Sequence, residues 1–182
     1  MLENIKVSTE FGLDFYELDD LERYKSITLS TFTAFKYNDN IEDEEVVGNA
    51  KVYAINTWLG INNIFDIADD ISQDFINTVK IVSEKVNIDE DILNIIYVDR
   101  IEIDEKHRNN GYGTKLLEFI SSYYQDVGDT LIILCANPLC NINNEEEIEK
   151  YRKKHRNRLY KFYKKQCFKR ISNENTYFYK II

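Results

Sequence analysis

One proline and six glycines in 182 residues leave too little of either for a collagen-like or proline-rich architecture. Two histidines, His107 and His155, argue against a histidine-rich metal site. The three cysteines, Cys135, Cys140 and Cys167, are odd in number and show no C-x-x-C spacing. That pattern speaks against both a disulfide framework and a zinc knuckle, and fits a reducing cytosol. No apolar run reaches the roughly 18 residues of a membrane span. The opening MLENIKVSTEF has no basic stretch followed by an apolar one, so it reads as no secretory signal and the expected compartment is cytoplasmic.

Apolar residues make up 43% of the chain and charged residues 30%, enough for one compact domain, expected over residues 1–182. The formal net charge is −9, unevenly spread. Lys150 to Arg170 holds eleven Lys and Arg and no acid, so the remainder carries a net −20. An acidic protein repels polyanions, and nucleic acid is disfavoured as a partner. The basic segment is either a solvated helix face or a place for a polyanion to dock.

Ile27, Leu29, Thr31, Thr33 and Phe35 alternate as in a strand, and Val46–Ile55 reads as its hairpin partner across the acidic loop Asn38–Glu45. Ile64, Ile67, Ile71, Phe75, Val79, Val82 and Val86 predict one amphipathic helix of about six turns. Asp14–Tyr24 could supply a helix before the first of these strands. Ile95–Ile103 reads as a strand, and Leu116, Leu117, Ile120, Tyr123 and Tyr124 mark one helix face. Thr130–Ala136 is an apolar run expected of a strand buried on both sides. Glu145–Lys165 predicts a helix, and Thr176–Ile182 an edge or hairpin strand. The class is α+β: a meander followed by strand–helix–strand–helix–strand on a mixed sheet, its middle unit parallel.

The most informative stretch runs from Ile101 to Leu117, where a strand ends, Gly111 and Gly113 sit one apart, and a helix begins. Backbone N–H groups from Asn110 to Thr114 can converge there on one anion, helped by the helix dipole. A P-loop is excluded because Arg108 stands where its first glycine is needed. A dinucleotide fingerprint is excluded because its third glycine position is Leu116. What remains is Arg108-x-x-Gly111-x-Gly113.

R-x-x-G-x-G after a strand, followed by a Leu-Leu helix, resembles the acetyl-CoA motif of the GNAT N-acetyltransferases. The run Asn157-Arg-Leu-Tyr160-Lys-Phe162-Tyr163, ending at Cys167-Phe168, resembles a second family motif. Tyr160 stands where a small residue is usual, and Cys167 where glycine is usual. The resemblance covers about Ile95 to Ile182. It implies a central, mixed, mostly antiparallel twisted sheet with helices on both faces and a strand–helix–strand acetyl-CoA core, and no metal.

The same resemblance implies site residues. Pantetheine would run along Ile95–Ile103, bonding backbone near Ile101 and Ile103. The pyrophosphate would sit on Arg108, Asn109, Asn110, Gly111, Tyr112, Gly113 and Thr114, and Asn157 would bond the cofactor arm. Tyr163 would protonate the leaving thiolate, with Tyr160 as the runner-up. A phenol of pKa ~10 stays neutral beside a thiol of ~8.5 and can donate. The base for the incoming ammonium is Asp99 or Glu102, which simple alternation puts on opposite faces, or a water chain. His107 reads as a turn residue and Cys135 as a buried thiol.

The expected function is acetyl transfer from acetyl-CoA to a primary amine by direct transfer. The alternative is a GNAT-like module that binds acyl-CoA or a protein without turnover. The acidic excess of residues 1–105 predicts a cationic small-molecule or peptide acceptor. A sheet with open edges also allows a homodimer.

Overall fold

The computed structural model describes residues 4–11, 27–38, 43–126, 128–138, 144–172 and 176–182. Its strands are β1 (Asn4–Phe11), β2 (Ile27–Asn38), β3 (Asp43–Asn56), β4 (Asn94–Ile103), β5 (Thr130–Cys135), β6 (Lys169–Arg170) and β7 (Tyr177–Ile181). The main helices are α1 (Ile61–Ile71), α2 (Gln73–Ser83), α3 (Tyr112–Gln125) and α4 (Glu145–Lys165). The strands form one seven-stranded sheet in the order β1-β2-β3-β4-β5-β7-β6. β4 and β5 pair in parallel, and the other neighbours are antiparallel. The mixed, mostly antiparallel sheet expected from the sequence is present.

Period-two alternation divides the core into two layers. Ile95 and Tyr97 of β4, with Leu131 and Ile133 of β5, pack under α1 and α2 beside Ile64, Ile67, Phe75 and Val79. Ile96, Val98, Ile132 and Leu134 point the other way, onto Leu116, Leu117 and Ile120 of α3 and Tyr163 of α4. β5 is therefore buried on both faces, as its apolar run predicts. Tyr97 stacks on Phe75 with ring centroids 4.1 Å apart.

The single long helix expected over Ile64–Val86 is two. Ser72 adopts extended backbone (φ −170°, ψ 151°), and its hydroxyl accepts from the Phe75 N–H at 3.1 Å. A new helix thus begins at Gln73, with Asp74 in its first turn. Tyr123 also departs from its expected face: it is 46% exposed, with its ring set edge-on against Phe32. β1 was not expected at all. The final strand is joined on its outer side by the two residues of β6. Residues 39–42 of the acidic loop, the Asp14–Tyr24 segment and Cys140 lie outside the described residues.

The feature that positions the site is in β4. Lys51 pairs with Arg100 but its neighbour Val52 pairs with Val98, so Asp99 is an extra residue bulged out of the ladder. The bulge reverses the alternation. Before it, even-numbered residues face α3; after it, Ile101 and Ile103 lie in that layer. The simple alternation that separates Asp99 from Glu102 does not run through this point. Pairing with β5 also stops at Val98 opposite Leu134, so residues 99–103 of β4 continue without β5 beside them. The sheet opens there like a wedge.

Candidate active site

A cleft of about 400 Å³ occupies one side of the wedge. β4 beyond the bulge, the glycine turn and one face of α4 wall it. Gly111 caps α3 in the left-handed conformation (φ 82°), and no side chain caps that end. The first N–H groups of a helix have no intrahelical partner, so those of α3 are left to the cleft. The first turn of α3 also holds no acid. Gly113 serves another purpose. A Cβ there would sit 3.7 Å from both Ile103 and Phe162, ordinary contact, and its φ is helical. Nothing within the protein requires glycine at 113, and the residue borders the cleft.

The predicted turn residues divide into those that face the cleft and those that brace it. Arg108 borders the cleft, and its Nε donates to the Ile103 carbonyl at 3.0 Å. Asn109 holds a left-handed φ of 68° and accepts from Arg158 of α4. Tyr112, Gly113 and Thr114 border the cleft, and Tyr112 buries its ring against His107. Asn110 is not among the lining residues; its side chain donates back to the His107 carbonyl at 3.3 Å. His107, in a short turn (Glu105–His107), is buried with Nε2 3.2 Å from Glu45. Lys106 also bonds Glu45, and these two partners hold that carboxyl below its ordinary range.

On α4, Tyr151, His155, Arg158, Leu159, Phe162 and Tyr163 face the cleft. Asn157 is exposed and lies off that face. Tyr163 is buried among Phe162, Phe168 and Phe178, with ring centroids 5.0 to 5.9 Å away. Burial, reinforced by the nearby Cys135, pushes its phenol above the ordinary value. It therefore keeps its proton well past neutral pH. Tyr160 does not line the cleft. It packs on Phe178 and lies under Arg170, whose guanidinium stands 4.1 Å above its ring.

A second cavity, about 580 Å³, opens on the α1 and α2 side of the wedge. Ser72 and Asp74 from the start of α2, Tyr97 and Asp99 from β4, and Ile148 and Arg152 from α4 are among its walls. Asp99, Arg100, Cys135, Asn137 and Pro138 border both cavities. Burial raises the Asp99 carboxyl above its ordinary range, opposed by Lys51 and Arg100 and aided by Asp74. Glu102 is exposed and borders the first cavity but not the second. Burial likewise pushes the Cys135 thiol up to about 12; the sulfur takes contacts from Asn137 at 3.1 Å and Thr176 at 3.3 Å.

Sequence reading did not single out His155, Arg158, Asp74 or Arg152. The first two follow from placing Tyr163 on a helix and stepping back through its face. Asp74 and Arg152 carry no local signal, because distant segments bring them to one cavity. Among the described residues, no three His, Cys, Asp or Glu side chains group as a metal would need.

A family model described as the acetyltransferase (GNAT) family matches residues 10–155. The chain belongs to the GNAT acetyltransferases. No curated protein matches the sequence. Among solved structures, Drosophila melanogaster polyamine N-acetyltransferase, which forms N-acetylagmatine, is similar at 9% identity. That likeness covers 84% of this chain and 74% of the other, with a TM-score of 0.47. Arabidopsis thaliana NAA60 in complex with a bisubstrate analogue shares 13% identity over 97% of this chain and 99% of the other, TM-score 0.45. A mutant AtaT toxin bound to the antitoxin AtaR C-terminus and acetyl-CoA shares 11% over 98% and 94%, TM-score 0.42.

Proposed function

We propose that this GNAT chain transfers acetyl from acetyl-CoA directly to a primary amine. The observation that carries the reading is the meeting of the two cavities at the parting of β4 and β5, with Asp99 on both and Tyr163 on the first.

The first cavity suits the phosphorylated arm of coenzyme A. Its helix end is uncapped, Gly113 leaves room for close approach, and Arg108, His155 and Arg158 stand around it. When bound, acetyl-CoA supplies an acetyl thioester. The chain's own residues handle the protons. An amine of pKa ~10.4 arrives as ammonium and must lose a proton to attack. The Asp99 carboxylate, directly or through water, is the acceptor for it on the acceptor side. Tyr163 Oη holds a proton at neutral pH and can give it to a departing sulfur. Residues 99–103 of β4, free of β5, offer a strand edge for an extended ligand arm.

The test is thiol release with acetyl-CoA and a panel of primary amines. Turnover with at least one amine is expected. Coenzyme A binding by calorimetry with no thiol release from any amine would return the chain to a binding module.

A further inference from the structure

The second cavity carries charge of both signs. Asp74 and Asp99 stand in the same wall system as Arg100 and Arg152, together with the Tyr97 ring. The acidic excess that predicts a cationic acceptor is not concentrated there: the two carboxylates are matched by two guanidiniums. Arg152 comes from the third turn of α4, the helix that walls both cavities, and lies on the wall of the second. The planar guanidinium fork suits a carboxylate. Asp99, by contrast, sits at the junction with the first cavity, where an attacking amine must arrive.

We infer that the acceptor is an amino acid, its ammonium held by Asp74 and Asp99 and its carboxylate by Arg152 and Arg100. This rests on the acetyltransferase reading and adds the substrate class. A diamine would place a second cation beside two arginines. An alkylamine without a carboxylate would bring no anion to the two guanidiniums of the cavity. A cavity of about 580 Å³ admits an amino acid side chain as well as its backbone. Arg152 and Arg100 are thus specificity residues, while proton transfer stays with Asp99.

The experiment compares amino acids with the amines they become on losing the carboxylate: L-leucine with 3-methylbutylamine, L-phenylalanine with phenethylamine, L-lysine with cadaverine. Thiol release gives kcat/KM for each, and calorimetry with the same chain gives affinity without turnover. The amino acid should lead by tenfold or more in at least one pair. Arg152→Gln should bring that ratio close to one, and Arg152→Lys should restore part of it. Arg100→Gln gives a second, independent reading should Arg152→Gln fold poorly. Equal or better turnover of the decarboxylated amines would overturn the inference and leave the acetyltransferase reading standing. Amino acid binding that depends on Arg152, with no thiol release, would do the reverse. Binding of neither member of any pair, together with turnover of some other amine, would also overturn it.

Discussion

The cleft beside the glycine turn and the cavity beyond Asp99 are built from different material. The first uses mainly one continuous stretch, from β4 through Arg108 to the start of α3, and one helix face, with the end of β5 at its border. Much of what it offers is backbone: N–H groups, a strand edge, the absence of a Cβ at Gly113. The second joins four segments that are far apart in sequence: the start of α2, the bulge in β4, the end of β5 with Asn137 and Pro138, and the first turns of α4. What it offers is side-chain charge. A backbone site tolerates change in most side chains around it; a side-chain site can be retuned one residue at a time. The expectation is that the first cavity fixes the donor and the second selects the acceptor.

The largest effect should come from filling the space at residue 113. Gly113→Val should abolish coenzyme A binding by calorimetry while circular dichroism stays unchanged, with Gly113→Ala weaker in the same direction. The β-carbon of Gly113→Ala finds only ordinary contacts within the protein, so binding lost in that variant reports on the ligand. Unchanged affinity would remove the backbone site from the comparison.

Next comes the proton held on the donor side. Tyr163→Phe keeps the ring among Phe162, Phe168 and Phe178 and removes the hydroxyl. The expected loss in kcat is ~10²–10⁴, with coenzyme A affinity nearly intact. A fall of less than threefold would move the role to water, since Tyr160 lies off the cleft under Arg170.

Asp99 joins the two cavities, and its substitution should split them. Asp99→Asn should lower kcat/KM by about 10², the low end for a general base, because water can stand in. In the wild type, the acid limb of the pH profile should lie above the ordinary carboxylate value of ~3.9, since burial raises this group. The stability effect has the opposite sign. A carboxyl raised by folding favours the folded state while protonated, and that contribution is lost as pH rises through its folded value. At neutral pH Asp99→Asn should therefore raise Tm while lowering activity. A lower Tm would mean that Lys51 and Arg100 outweigh burial.

The same contrast explains what could be read from sequence. The helix over 145–165, the doubly buried β5 and the glycine turn follow from contiguous residues whose period or conformation is local. The break at Ser72 was also local: a serine with an acid two residues on is a helix start. The apolar period ran across it because α1 and α2 both pack on one sheet face, so the spacing survives the break. β1 had alternation in Ile5, Val7, Thr9 and Phe11 to announce it. The Asp99 bulge had no such signal. It exists because β3 and β4 differ by one residue in register, which is a property of the pair. Asp74 and Arg152 become neighbours of one cavity through that same opening, and no window of sequence contains both.

The smallest effect concerns α4, which walls both cavities. Its C-terminus closes in a Schellman turn: the Phe168 N–H donates to the Tyr163 carbonyl at 3.1 Å and the Cys167 N–H to Lys164 at 3.2 Å. Cys167 takes the left-handed conformation this requires, φ 64°, which glycine adopts without a side-chain penalty. A side chain there costs roughly 1–2 kcal/mol. Glycine would remove that cost but add chain entropy to the unfolded state, worth about 0.4–1 kcal/mol. Cys167→Gly should therefore stabilise the protein by roughly 0–1.6 kcal/mol, a small rise in the midpoint of denaturant unfolding. The thiol is exposed and borders neither cavity, so kcat, coenzyme A affinity and the amino-acid-to-amine ratio should all stay where they are. A change in the ratio without a change in coenzyme A affinity would show that the seating of α4 reaches Arg152 before it reaches the donor cleft.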